Sequence, residues 1–412
     1  MPNIQDHALA VGGFTLAERP FDVLDSLVLT QLVYMPMEGL MDRGDRPTLA
    51  QAWTHIQTHV DYERLDTFQK KRYRLFECCA GLKRYRNWLM HDYVNIIDGA
   101  LEMQFCACTW DLSTGESYIA FRGTDLTIAG WKEDLNMSFM TIPSQKEAAA
   151  YTERMARQGT ALRLGGHSKG GNLAVYAGAR VAPCVQERIL RVYSFDGPGL
   201  DEETLGSQGY DRISARIESY IPQSSVVGML LNYHPRYTVV RSTSLGILQH
   251  DAMSWQVENG AFVRQNDLDM SGKITDETIH TWLQGMDMDQ RRELVDTLYR
   301  VVDASHAELV TDLIDDWRDS AVKALEAIRG LDPQVKANVR RMLRSLFSSG
   351  AGGVVRGVLT HLEGPGKDGR ERTEPPAGEK RASAGRIAQE TQDNTTAEST
   401  TDSDAERASG NR

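Results

Sequence analysis

The chain has 412 residues, 41% of them hydrophobic and 25% charged. That is enough apolar material for a sizeable core, at a length that suggests two or three domains. Its 57 acidic residues outnumber 46 basic ones, a formal net charge of -11 that argues against a general nucleic-acid binder.

No run approaches the roughly 18–20 apolar residues that span a bilayer, so no transmembrane segment is expected. The first ten residues carry Asp6 and lack a basic stretch followed by an apolar one, so no secretory signal is expected. The 5 cysteines contain no C-x-x-C pair and read as core thiols of a reduced, cytoplasmic protein.

Taken in chain order, the first hundred residues show helical patterns over 23–34 and 62–81. The runs 104–110 and 117–121 read as strands, joined by a hairpin turn at Ser113-Thr114-Gly115. Cys106 and Cys108 alternate onto one strand face, as core residues do. An Ala-rich helix over 147–157 precedes a short apolar strand over 161–164, a glycine turn and a helix over 170–181. Further strands are expected over 189–195, 215–221 and 237–242. Strands alternating with helices indicate an α/β fold whose later strands run parallel, filling residues 1–262.

Residues 263–363 carry amphipathic stripes such as Leu294, Leu298 and Val301, with breaks near Asp287, Ser305 and Pro333. They predict a helical appendage. Residues 364–412 hold one large aliphatic side chain, Ile387, and cannot offset the entropy of ordering, so a disordered tail is expected. The run Asp267–Asp269 imitates the start of a calcium loop, but its twelfth position is Thr278 where a bidentate Glu belongs. No metal and no cofactor are expected.

The most informative segment is Gly165-Gly166-His167-Ser168-Lys169-Gly170-Gly171-Asn172. Gly166, Ser168 and Gly170 form G-x-S-x-G between an apolar strand and an Ala-rich helix. A serine on so tight a strand-to-helix turn needs small neighbours two positions away, and the turn lifts its hydroxyl above the sheet. The first helical N–H groups then point to where an oxyanion would form.

Ser168 is therefore the candidate nucleophile. It needs a base, and the base an orienting acid. His250 follows the expected strands and precedes Trp255, where a base should sit; His234 is the runner-up. Asp196 ends a strand and opens the turn Gly197-Pro198-Gly199, which would expose it at the sheet edge, so it is the candidate acid. The next strand ends in Ser224-Ser225, where hydrolases more often carry the acid. The oxyanion donors are expected from the N–H of Lys169 and from Thr124, after the strand ending Arg122-Gly123.

Phe121-Arg122-Gly123-Thr124-Asp125, Gly130-Trp131-Lys132-Glu133-Asp134 and the Ser168 turn together resemble the fungal-type (class 3) lipases of the α/β-hydrolase superfamily. They resemble still more closely a lipase-like bacterial family of unknown function, the Mbeg-like proteins. That likeness extends to Phe195-Asp196-Gly197-Pro198-Gly199, Ile221-Pro222-Gln223-Ser224-Ser225 and Gln249-His250-Asp251, over about residues 20–257. It implies an α/β-hydrolase-type sheet, with Ser168 as nucleophile, Thr124 in the oxyanion hole and His250 as base. The lipases carry their acid where this chain has Ser224. Either Asp196 replaces it from the neighbouring strand, or the triad is incomplete.

The reading that follows is a serine hydrolase, esterase- or lipase-like, cleaving a small-molecule or lipid ester through an acyl-enzyme on Ser168. Val226, Met229 and Leu230, in an apolar run beside the sheet edge, are expected to line the acyl pocket. The alternative is a non-catalytic hydrolase fold serving as a binding or scaffold protein. A thioesterase or peptidase would use the same machinery. The sequence does not identify a protein partner for the helical appendage.

Overall fold

The computed structural model describes residues 1–41, 44–101, 103–124, 137, 141–156, 159–225, 227–228, 236–266 and 268. The chain divides into two compact units, Met1–Gly364 and Pro365–Arg412, and the described residues all belong to the first. The expected tail, and the appendage apart from its first residues, lie outside the described residues.

The described residues form an eight-stranded sheet with sequential neighbours. Strands β1 (Leu89–Asp98), β2 (Met103–Asp111) and β3 (Glu116–Phe121) are antiparallel. From β3 the sheet runs parallel through β4 (Ala161–His167), β5 (Ile189–Phe195), β6 (Ile217–Pro222) and β7 (Tyr237–Val240). A two-stranded hairpin, β8 (Val257–Glu258) and β9 (Ala261–Phe262), leads to β10 (Arg264–Gln265), antiparallel to β7 at the edge. The sheet therefore continues past residue 262.

Strand alternation gives the described residues a large core on each face of the sheet, with a small third cluster of Ile221, Val239 and Leu268. Cys106, Cys108, Trp110, Tyr118 and Ala120 face one way; Phe105, Ala107, Ile119 and Phe121 face the other. The first face packs against helices α1 (Ile4–Val11), α2 (Val23–Leu32), α3 (Leu49–His59) and α4 (Thr67–Gly81). The second packs against α5 (Pro143–Ala156), α6 (Lys169–Arg180) and α7 (Gln208–Ser214). This is the mostly parallel α/β-hydrolase-type sheet that the sequence implies. Helices covering both faces are what a parallel sheet requires.

Helix starts follow ordinary capping chemistry. Asp22 accepts from the N–H groups of Leu24 and Asp25, and Asp25 returns a bond to the Asp22 N–H. Asp66 and Gln69 form the same reciprocal box on α4. Such pairs satisfy donors the helix leaves unpaired. Beneath α2, the Arg84 guanidinium grips both carboxylate oxygens of Asp25, at 2.7 and 2.5 Å, and Tyr85 donates to it at 2.9 Å. Both side chains of the Arg84–Asp25 pair are fully buried.

Several expected boundaries shift. The helix expected over 62–81 splits into a short turn, Tyr62–Arg64, and α4, because Asp66 starts a new cap. The strand expected from Ala215 begins at Ile217, since Ala215 closes α7. Ser242 lies beyond β7, in an isolated bridge to Trp255. Among the described residues all 5 cysteines are free thiols, with Cys106 and Cys108 in the core. Among these residues no helix is long and apolar enough to cross a membrane.

Candidate active site

Ser168 follows β4 directly and is the N-cap of α6. Its backbone sits at φ 59°, ψ -132°, a conformation that costs a non-glycine residue about 1–3 kcal/mol. A Cβ on Gly166 would collide with the backbone of Gly170, and one on Gly170 with the Phe121 carbonyl. The G-x-S-x-G spacing is thus a packing requirement between β4, α6 and the end of β3. Serine at an N-cap ordinarily caps its own helix. Ser168 does not, and its hydroxyl makes no hydrogen bond to any described residue.

Asp196 directly follows β5 and also carries a positive φ, 49°. It is fully buried. Its Oδ2 lies 2.6 Å from His250 Nδ1. Its Oδ1 accepts from the Ser225 hydroxyl at 2.5 Å and from the Gly228 N–H at 3.1 Å. Gly228 is necessary here, because a Cβ would overlap Oδ1. The turn after Asp196 is braced by Asn172 on α6, whose amide donates to the carbonyls of Gly199 and Pro198 at 2.5 and 3.3 Å.

His250 closes a 3-10 turn, Gly246–His250, that several distant groups hold in place. Ser224 donates its N–H to the Gln249 side chain at 2.9 Å, and the Trp255 indole donates to the Gln249 carbonyl at 2.8 Å. Lys71 on α4 pairs with Asp251 at 2.6 Å. The His250 carbonyl accepts from His167 Nε2 at 2.7 Å, and the two imidazoles lie 4.6 Å apart. Burial above all, then the neighbouring His250 and Arg72, push the His167 pKa well below the usual histidine value. His167 is therefore neutral.

The Gly123 loop borders the nucleophile. A Cβ built on Gly123 would lie 3.0 Å from Ser168 Cβ and would overlap the His167 carbonyl and the Tyr34 hydroxyl. Thr124 follows directly, half-buried. The Lys169 side chain turns away from the turn and donates to the Gln104 carbonyl at 2.9 Å, leaving its backbone as the part beside Ser168.

The structure brings the ends of β3, β4 and β5 and the His250 turn to one edge of the sheet. It places Asp196 against His250 and Gly123 against Ser168, and it draws no hydrogen bond between Ser168 and His250. His250 precedes the edge strand β10 rather than following the last strand. Val226, Met229, Leu230, His234 and the calcium-like run from Asp267 to Thr278, apart from the buried Leu268, lie outside the described residues. Sequence reasoning missed His167, Tyr34, Ser225 and Lys71. Ser225 and His167 stood inside quoted motifs, but only the fold shows what they touch.

A family model described as Mbeg1-like matches residues 79–300. The chain belongs to the Mbeg1-like family. Two solved structures are similar over part of this Mbeg1-like chain. One is a fungal lipase–inhibitor complex, from work on interfacial activation in lipases: 11% identical, covering 53% of this chain and 80% of that one, TM-score 0.32. Another is a triacylglycerol lipase from Penicillium expansum: 13% identical, covering 45% of this chain and 78% of that one, TM-score 0.28. No curated protein matches the chain. The Mbeg1-like match begins at Cys79, yet Lys71, which pairs with Asp251 beside His250, and Tyr34, which contacts His167, precede it.

Proposed function

We propose that this protein is a serine hydrolase that cleaves a carboxylic ester through an acyl-enzyme on Ser168. The observation that carries the reading is the 2.6 Å contact of His250 Nδ1 with the buried Asp196 carboxylate, beside a serine held in a strained turn. An imidazole so held exposes Nε2 for proton transfer, and the carboxylate fixes its tautomer and stabilises the imidazolium that forms. The acid comes from the end of β5. Ser224 and Ser225, at the end of β6, support it and its histidine instead of supplying a carboxylate.

In the proposed reaction the Ser168 Oγ attacks the ester carbonyl carbon while His250 Nε2 takes its proton. The N–H groups of Lys169 and Thr124 hold the oxyanion, each such donor being worth about 3–4 kcal/mol to the transition state. Collapse breaks the bond to the alcohol, which leaves with the proton from His250. A water, deprotonated by the same histidine, then releases the acid and restores Ser168. Val226, Met229 and Leu230 are assigned to the acyl pocket from sequence alone. No metal or cofactor takes part in this scheme.

Hydrolysis of p-nitrophenyl esters of graded chain length tests the proposal. The wild-type protein should release p-nitrophenol catalytically and S168A should not. Equal release by both proteins would overturn it.

A further inference from the structure

We infer that His167 is the positioning residue for His250: its Nε2–H fixes the His250 main chain, and Tyr34 sets the tautomer that makes this donation possible. The inference rests on the reading of His250 as the base. A carbonyl oxygen can only accept, so the 2.7 Å contact between His167 Nε2 and the His250 carbonyl puts the His167 proton on Nε2. Nδ1 of a neutral imidazole then accepts, and the Tyr34 hydroxyl stands 3.3 Å from it.

The groups facing this ring agree with a neutral state. The His250 ring lies at 4.6 Å, tilted by 35°, and the Trp255 ring lies at 6.5 Å. From α4 the Arg72 guanidinium lies 3.7 Å from the Tyr34 ring centre, a cation beside the pair. The bond to the His250 carbonyl favours a charge on His167, but burial of the ring, which is 3% exposed, outweighs it. Its donation therefore persists while His250 gains and loses a proton.

The arrangement solves a geometric problem. His250 sits on a turn far from Ser168 in sequence, and Asp196 restrains only its ring. His167 is the residue immediately before Ser168, so its bond ties the base's backbone to the strand end that sets the nucleophile. Displacement of a reacting group by about 1 Å can cost on the order of 100-fold in rate.

The test compares H167L and H167Q in the full-length protein, by the rate of Ser168 labelling with a fluorophosphonate. Leucine removes the donor; a glutamine amide N–H can replace it. H167L should label about 10- to 100-fold more slowly, and H167Q should recover most of the loss, with both variants melting like the wild type. Wild-type labelling by H167L, or equal slowing of the two, overturns the inference. A second readout does not depend on the variants folding. In wild-type protein with ¹⁵N-labelled histidine, the His167 ring should carry its proton on Nε2 and not titrate across the interval about pH 6.5 where an ordinary histidine does. A proton on Nδ1, or titration in that interval, overturns it. Wild-type protein that takes no fluorophosphonate refutes the hydrolase reading instead, and the tautomer still decides the role of His167.

Discussion

Among the described residues, Ser168 and Asp196 carry positive φ at the ends of adjacent strands, and both have clash-limited glycines around them. Strain of this kind persists only where surrounding packing over-determines it. For Ser168 the source was legible in the sequence, because G-x-S-x-G names the crowded positions. For Asp196 it was half legible. Its place before Gly197-Pro198-Gly199 exposed it as a candidate, but its partners Ser225 and Gly228 lie some thirty residues on, and no local pattern joins them. Replacing Asp196 by Asn keeps the shape and removes the charge that orients His250. D196N should lose roughly 10⁴-fold in kcat on an ester substrate with little change in KM, measured by steady-state kinetics. A loss below tenfold would remove Asp196 from the mechanism.

At the scale of elements, the parallel strands and their helices were readable because each apolar run is short, bounded and buried on both faces. β1 was not read. Leu89–Asp98 interrupts its apolar residues with His91, Asp92, Asn95 and Asp98, and Asp92 sits in a bulge at φ 52°. An edge strand with one neighbour tolerates such polarity, and alternation then fails as a signal. The buried Arg84–Asp25 pair was equally invisible, since it joins α2 to the segment after α4. Removing one partner strands a charge in the core. R84M should cost about 3–5 kcal/mol of unfolding free energy, read from urea midpoints, whereas replacing both partners by apolar residues should restore part of it. An R84M protein as stable as the wild type would show that the pair contributes little.

Across the whole molecule, the histidines buried without charge set a pH dependence. Burial, opposed in part by Asp25, lowers the His7 pKa to about 4, from an ordinary value of 6.5. The unfolded chain therefore binds a proton that the folded one refuses, and stability is lost as pH falls from about 6.5 towards 4. Between pH 7 and pH 5, His7 alone should remove about 2 kcal/mol. H7Q should flatten the profile by that amount in denaturation curves at the two pH values; an unchanged difference would contradict the assignment. His167, also held neutral, adds to the same trend.

The site as a whole draws on segments from Tyr34 to Trp255, and the account depends on their convergence making one hydroxyl nucleophilic. Intact-mass spectrometry of the full-length protein after exposure to a fluorophosphonate measures that directly. A single adduct mapping to the peptide that contains Ser168, absent from S168A and much slower to form in D196N, is the predicted result. Protein that stays unmodified while a known serine hydrolase in the same tube is labelled, or an adduct on another residue, would contradict it.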